Sequence, residues 1–252
     1  MGRITTRDIA RTIDHAVLKP EATLDDVRGA CAMGRRLGIM SVCCRPSDVP
    51  VAAAALAGSG TLVCTVIGFP HGTTSTAAKV AEVRQAVADG AREVDMVLNV
   101  GRLRSGDEAY VEADIRAVAE EAHRLGAILK VILETALLDD AQKAAACRAS
   151  TRAGADFVKT STGFAGGGAT IPDLVLMRRE SGPALGVKAS GGVRDLDAAL
   201  AAIAVGATRI GTSSTEGILA AAAEREAAGT LVLPAREDVA AQADAIRATK
   251  AY

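Results

Sequence analysis

Tryptophan is absent from this 252-residue chain, which has only two tyrosines and three phenylalanines. That scarcity argues against the aromatic stacking platforms that bind single-stranded nucleic acid. An excess of either charge is also missing. The 29 lysines and arginines offset 30 aspartates and glutamates, for a formal net charge of −1, whereas a dedicated nucleic-acid binder carries a basic surplus. No apolar run reaches the roughly 18 residues that mark a membrane span. The opening Met1-Gly2-Arg3-Ile4-Thr5-Thr6-Arg7-Asp8 is too polar for a secretory leader. Neither nucleic acid nor membrane is therefore an expected partner. Histidine occurs at His15, His71 and His123 only, without metal-ligand spacing, so zinc chemistry is disfavoured and no metal or other cofactor is expected. The five cysteines, an odd number in apolar surroundings, fit a reducing cytoplasm better than a disulfide framework. Cys43-Cys44 sits at a strand end within reach of a barrel mouth, yet reads first as a pair of small buried hydrophobes. Neither a phosphate-binding P-loop nor a nucleophile elbow is present.

What the chain does have is ordinary globular material, 49% hydrophobic and 23% charged. Short β-branched runs alternate with Ala-rich stretches of helical period. The strand candidates are Thr12–His15, Ser41–Cys44, Leu62–Ile67, Glu93–Leu98, Ile128–Leu133, Phe157–Thr160, Gly186–Ala189 and Thr208–Gly211. Helix candidates lie between them, among them Thr76–Asp89, Gly106–Leu125, Asp139–Ala153, Ile171–Glu180 and Asp195–Val205, with Arg236–Arg247 closing the fold. Several end in Gly followed by a new strand, as a left-handed helix terminus requires. Eight strand–helix units in this length predict an α/β protein of one domain, residues 1–252: a (β/α)8 barrel with a short N-terminal helix and a mobile C-terminal tail. An open doubly wound sheet is the other possibility, but no G-x-G-x-x-G follows an early strand.

Barrel sites lie at the C-terminal ends of the strands, so polar residues on apolar strands are the informative ones. Four stand out: Asp95, Lys130, Lys159 and Lys188. Lys159 ends the run Ala155-Asp156-Phe157-Val158 and is followed by three hydroxyl residues. A buried ammonium costs several kcal/mol unless it is paired or neutral, and a neutral amine is what attacks a carbonyl to form an imine. Lys188 holds the matching place one βα unit later. Adjacent parallel strands are about 4.8 Å apart, so two such ammonium groups would repel and one would shed its proton. The residues themselves leave open which. Lys130 reads as an ion-pair partner of Glu134 or Asp95. Asp95 alternates with Val94 and Met96, so it points into the barrel, as a counter-ion, a proton relay or both. The loops after the seventh and eighth strands, Ser190-Gly191-Gly192-Val193-Arg194 and Gly211-Thr212-Ser213-Ser214, are the usual phosphate site of this architecture, and Thr162-Gly163-Phe164 offers a further backbone N–H.

Ile13-Asp14-His15, Val66-Ile67-Gly68-Phe69-Pro70-His71-Gly72, Glu93-Val94-Asp95-Met96-Val97-Leu98-Asn99, Phe157-Val158-Lys159-Thr160-Ser161-Thr162-Gly163-Phe164, Lys188-Ala189-Ser190-Gly191-Gly192-Val193-Arg194 and Gly211-Thr212-Ser213-Ser214 occur in that order. Together they resemble the deoxyribose-phosphate aldolase family. The resemblance implies a metal-independent class I aldolase on a (β/α)8 barrel. Such an enzyme reversibly cleaves 2-deoxy-D-ribose 5-phosphate to acetaldehyde and D-glyceraldehyde 3-phosphate, and so serves deoxyribose phosphate catabolism. Its partners would be a sugar phosphate and small aldehydes. Separately from the resemblance, a homodimer is the expected state, since two-fold dimers are the commonest oligomers. Lys159 would form the Schiff base, Lys188 would be the charged neighbour, Asp95 its proton-relay partner, and the terminal Tyr252 a candidate proton carrier. Asp14 would lie near the substrate hydroxyls and Thr160 and Thr162 beside the substrate. Gly163, Gly191, Gly192, Gly211, Ser213 and Ser214 would hold the phosphate. Phe164 stands where some members carry a lysine, which removes a possible phosphate charge. A transaldolase-like or keto-acid aldolase, an isomerase shuttling protons through Asp95, and a silent sugar-phosphate sensor are the competing readings.

Overall fold

The computed structural model describes residues 3–241. Eight parallel strands close in sequence order into a barrel: β1 (Ile13–Val17), β2 (Ser41–Cys44), β3 (Leu62–Ile67), β4 (Glu93–Val97), β5 (Ile128–Ile132), β6 (Phe157–Lys159), β7 (Gly186–Ser190) and β8 (Arg209–Thr212). Closure is explicit at Asp14, which registers with Ser41 of β2 on one side and Gly211 of β8 on the other. That excludes the open sheet. Each strand falls within two residues of its expected place.

Among the described residues, the helices around the barrel with both ends defined are α1 (Thr6–Ala10), α2 (Leu24–Leu37), α3 (Val49–Leu56), α4 (Thr76–Ala88), α5 (Val100–Arg104), α6 (Glu108–Arg124), α7 (Asp140–Arg152), α8 (Ile171–Ser181), α9 (Leu196–Ala204) and α10 (Thr215–Ala227). Their starts follow from local chemistry. Thr23 with Asp26, and Asp139 with Gln142, form reciprocal capping boxes, which satisfy N–H groups that a helix start leaves unpaired. The expected Gly106–Leu125 helix begins at Glu108. Ahead of it stands a separate short turn of helix, α5, which sequence reasoning missed and which Asn99 caps by accepting from the Arg102 N–H. Residues 236–241 begin the expected closing helix; the rest of it, and Tyr252, lie outside the described residues.

The apolar core is a shell between barrel and helices. Val42, Val63, Val94, Met96, Leu129, Val131, Val158, Val187 and Ile210 alternate outward from their strands into one buried cluster with the helix faces. The opposite faces of the same strands point inward and carry most of the charge. Among the described residues, the most completely sealed of the buried ion pairs outside the barrel interior is that of Lys79. Lys79 of α4 donates to Asp114 of α6 at 2.5 Å and to the Val97 carbonyl at 3.0 Å, with both side chains essentially sealed from solvent. Breaking such a pair from one side strands the other charge, at about 3–5 kcal/mol. Lys79→Met is therefore expected to lose stability on that scale in urea unfolding. The double change Lys79→Met with Asp114→Leu should recover most of the loss.

Candidate active site

Strand register sets the heights of the charged side chains before any contact is considered. Lys159 and Lys188 are direct partners across β6 and β7, and Asp95 and Lys130 are partners across β4 and β5. All four project inward and meet at Asp95. Its Oδ2 accepts from Lys159 Nζ at 2.9 Å and Lys188 Nζ at 2.8 Å; its Oδ1 accepts from Lys130 Nζ at 2.8 Å. The matching height inferred for the two lysines is thus present, and a single carboxylate lies between them.

Further members of this cluster escaped the sequence reading. Lys130 pairs with Glu93 at 2.7 Å as well as with Asp95. It does not pair with Glu134, whose carboxylate accepts instead from the N–H and hydroxyl of Thr162. Arg209 spans Asp14 at 2.5 Å and Glu93 at 2.7 Å, and Ser41 donates to Asp14 at 2.8 Å. The signal for Glu93 and Arg209 was available: each alternates with an apolar neighbour, Val94 or Ile210, by the period-2 rule that singled out Asp95. Arg209 also lies over the Phe157 ring at 5.3 Å.

Electrostatics sort the lysines. Among the described residues the cluster sets four basic side chains, Lys130, Lys159, Lys188 and Arg209, against three carboxylates, Asp14, Glu93 and Asp95. Lys188 touches Asp14 at 2.6 Å and Asp95 at 2.8 Å. Burial disfavours its charge, but those two carboxylates outweigh burial and hold it protonated well above the ordinary lysine range. Lys130 is held up in the same way, with Asp95 the foremost partner. Asp95 is held well below the usual carboxylate range: burial opposes this, and Lys130, Lys159 and Lys188 overcome it. Asp14 is lowered against burial chiefly by Lys188, then by Lys130 and Arg209. Lys159 has only the Asp95 oxygen that it shares with Lys188, so it is the amine for which the cluster has no carboxylate of its own.

Above the cluster opens a cavity of about 520 Å3. Asp14, Lys159 and Lys188 line its floor. Thr162, Gly163, Ser190, Gly191, Gly192, Gly211, Ser213 and Ser214 line its wall and rim, with Lys19 and Arg194 adding cationic side chains. Thr160 does not line it. Its hydroxyl donates to the Ser190 carbonyl at 2.9 Å and accepts from the Ser190 N–H at 3.0 Å, locking the end of β6 to β7. Glu134 sits in the left-handed region at φ +57°, a conformation that costs a non-glycine residue about 1–3 kcal/mol, and it ties down the loop that follows Lys159. Phe164 stands at the mouth, 46% exposed, edge-on to Phe69 with ring centroids 5.3 Å apart. His15 Nδ1 lies 2.9 Å from the Thr215 hydroxyl and so braces the start of α10 beside Ser213 and Ser214. A wider hollow of about 1070 Å3 opens near the N-terminal ends of β1–β3, lined by Arg7, Arg11, Arg35 and Glu216 among others, but it holds no comparable acid–base cluster.

Two glycines are required here by close approach. A Cβ on Gly191 would stand 2.9 Å from the Gly168 Cα, and one on Gly211 would meet the Ser190 hydroxyl at 2.2 Å and Lys188 Cε at 3.2 Å. Gly211→Ala is thus expected to push Ser190 and Lys188 aside. A displacement of about 1 Å at such a site costs about 10²-fold in kcat/KM, to be read by steady-state kinetics alongside an unchanged circular dichroism spectrum.

The profile of the DeoC/LacD family aldolases matches residues 9–233. Deoxyribose-phosphate aldolase 1 of Bacillus licheniformis is 54% identical over 209 residues, covering 83% of this chain and 93% of that one. The deoxyribose-phosphate aldolase of Micrococcus luteus is 53% identical over 222 residues, covering 86% and 97%. Among solved structures, the tetrameric deoxyribose phosphate aldolase of Aeropyrum pernix superposes with a TM-score of 0.81 at 33% identity, covering 90% of this chain and 94% of that one. The aldolase QR15 superposes at 0.83 with 38% identity, covering 88% and 98%. Profile, sequence relatives and barrel agree, and the chain belongs to the DeoC/LacD family of aldolases.

Proposed function

We propose that this protein reversibly cleaves 2-deoxy-D-ribose 5-phosphate to acetaldehyde and D-glyceraldehyde 3-phosphate through an imine on Lys159. The observation that carries the assignment is the single surplus base of the cluster. With Lys159 neutral, three cations face three carboxylates, and the neutral amine borders the cavity where a carbonyl can arrive. Lys159 attacks C1 of the open-chain sugar, and loss of water gives an iminium. The iminium accepts the electron pair of the C2–C3 bond once the C3 hydroxyl gives up its proton. Asp95, held ionised by its lysines, and the protonated Lys188 pass that proton on, with water, to the enamine carbon. Hydrolysis then frees acetaldehyde and restores the amine.

Gly163, Gly191, Gly192, Gly211, Ser213 and Ser214 hold the phosphate in this reading, near the start of α10, where free N–H groups and the helix dipole favour an anion. Thr162 supports the β6 loop beside them. Asp14 meets a sugar hydroxyl from the cavity floor, Thr160 acts through Ser190, and Tyr252 carries protons from the tail. We further infer a cytoplasmic homodimer. The five cysteines are free and buried, as a reducing compartment allows. Light scattering separates a dimer from the tetramer recorded for the Aeropyrum pernix relative.

The test is a covalent trap. Borohydride with acetaldehyde is expected to place an ethyl group on Lys159 and abolish turnover, with peptide mapping to locate it. Full activity with Lys159 unmodified would remove the imine mechanism and leave a proton-shuttling isomerase as the better reading.

A further inference from the structure

One wall of the barrel interior is built from thiols. Cys43 of β2 and Cys64 of β3 are direct register partners, so their side chains leave the sheet on the same face. Adjacent parallel strands place such Cα atoms about 4.8 Å apart, inside the range of about 4.4–6.8 Å that a disulfide spans. The two Sγ atoms and an Asp95 oxygen all lie within 4.8 Å of one another. Both cysteines are free, Cys43 is 2% exposed and Cys64 is sealed. Cys43 lines the cavity beside Lys159 and Lys188, whereas Cys64 lies behind it and contacts Asp95 Oδ1 at 3.3 Å. This trio does not suit a metal ion, because Asp95 already receives three lysine ammonium or amine groups.

We propose that Cys43 and Cys64 form a peroxide-sensitive dithiol that switches the aldolase site off by closing a disulfide within the barrel. Cys43 is the entry thiol. The Cys64 thiol is the first cause that brings its ionisation below the ordinary cysteine range, with Lys188 and Lys159 assisting against burial and Asp95; a thiolate is the reactive form. The Cys43 thiolate attacks one oxygen of a hydroperoxide reaching it through the cavity. The O–O bond breaks, hydroxide leaves and takes up a proton, and Cys43 becomes a sulfenic acid. The Cys64 sulfur then displaces the sulfenic oxygen as water, and its own proton leaves with that water. Two thiols and one hydrogen peroxide thus give one disulfide and two waters. Closure draws the Cys64 sulfur off Asp95 Oδ1 and shifts the wall against which Lys159 works.

The experiment treats the full chain with hydrogen peroxide, then measures intact mass, the linked peptides and retro-aldol activity before and after dithiothreitol. The activity measurement rests on the aldolase reading; mass and peptide mapping do not. A Cys43–Cys64 linkage, loss of two hydrogens, at least a tenfold fall in activity and its return with dithiothreitol are expected. Without the resolving thiol, Cys64→Ala in excess peroxide should instead gain two or three oxygens at Cys43, as sulfinic or sulfonic acid, and, compared with its own reduced state, stay inactive after dithiothreitol. The proposal is overturned if no 43–64 linkage forms, if the linked protein keeps its activity, or if Cys64→Ala still loses two hydrogens together with its activity.

Discussion

Lys159→Met is expected to lose about 10⁴-fold or more in turnover while the barrel stays within about 1.5 kcal/mol of its original stability. The kinetic loss follows from covalent catalysis: without the amine no imine forms, and the C2–C3 bond has no electron sink. The retained stability is the less obvious half. Four basic groups surround three carboxylates among the described residues, and Lys159 is the one without a carboxylate of its own. In the proposed resting state the amine is neutral, and its replacement by a thioether of similar volume leaves Lys130, Lys188 and Arg209 to balance Asp14, Glu93 and Asp95. Urea unfolding alongside steady-state kinetics checks both halves. A large loss of stability in Lys159→Met would mean that the resting amine is charged, and the proposed nucleophile would have to be reconsidered.

Asp95→Asn is expected to do the opposite on stability. The carboxylate accepts from three lysines at 2.8–2.9 Å with none of its surface exposed. Neutralising it leaves Lys130, Lys188 and Arg209 facing two carboxylates in a sealed interior, at about 3–5 kcal/mol. Turnover should fall by about 10²–10⁴-fold as the proton path is cut. The pH dependence has a definite sign. The folded carboxyl is held well below its usual range, so its stabilisation is fully present above the unfolded aspartate value of about 3.9. It is lost as pH falls through the folded value. The stabilities of the original chain and Asp95→Asn should therefore converge in acid and differ most near neutrality. A constant difference across that range would show that Asp95 supports the barrel through packing rather than charge.

These two residues also show how far the sequence could be read. Lys159 and Asp95 were visible because a charge on an apolar strand is conspicuous and period-2 alternation says which way it points. The same rule would have found Glu93 and Arg209, but each could equally have been a solvated strand end, and only closure of the barrel brings them to Asp14 and Lys130. Of the two partners that the sequence offers Lys130, Glu134 and Asp95, only Asp95 is met. Glu134 instead takes a left-handed turn past the end of β5 and binds Thr162, a contact that no local pattern encodes. Thr160 sits beside Lys159 in the chain yet alternates away from the cavity, and its hydroxyl is spent on Ser190.

The sequence by itself determined the strand–helix alternation, the helix caps, the inward direction of Asp95 and the spacing that sets Lys159 level with Lys188. All of these depend on backbone periodicity and on groups a few residues apart. Tertiary structure alone decided which carboxylate each lysine meets, and hence which of them lacks a counter-ion. That outcome depends on side chains from β1, β4, β5, β6, β7 and β8 sharing one water-poor interior, where separations of a few ångströms govern the energy of a charge.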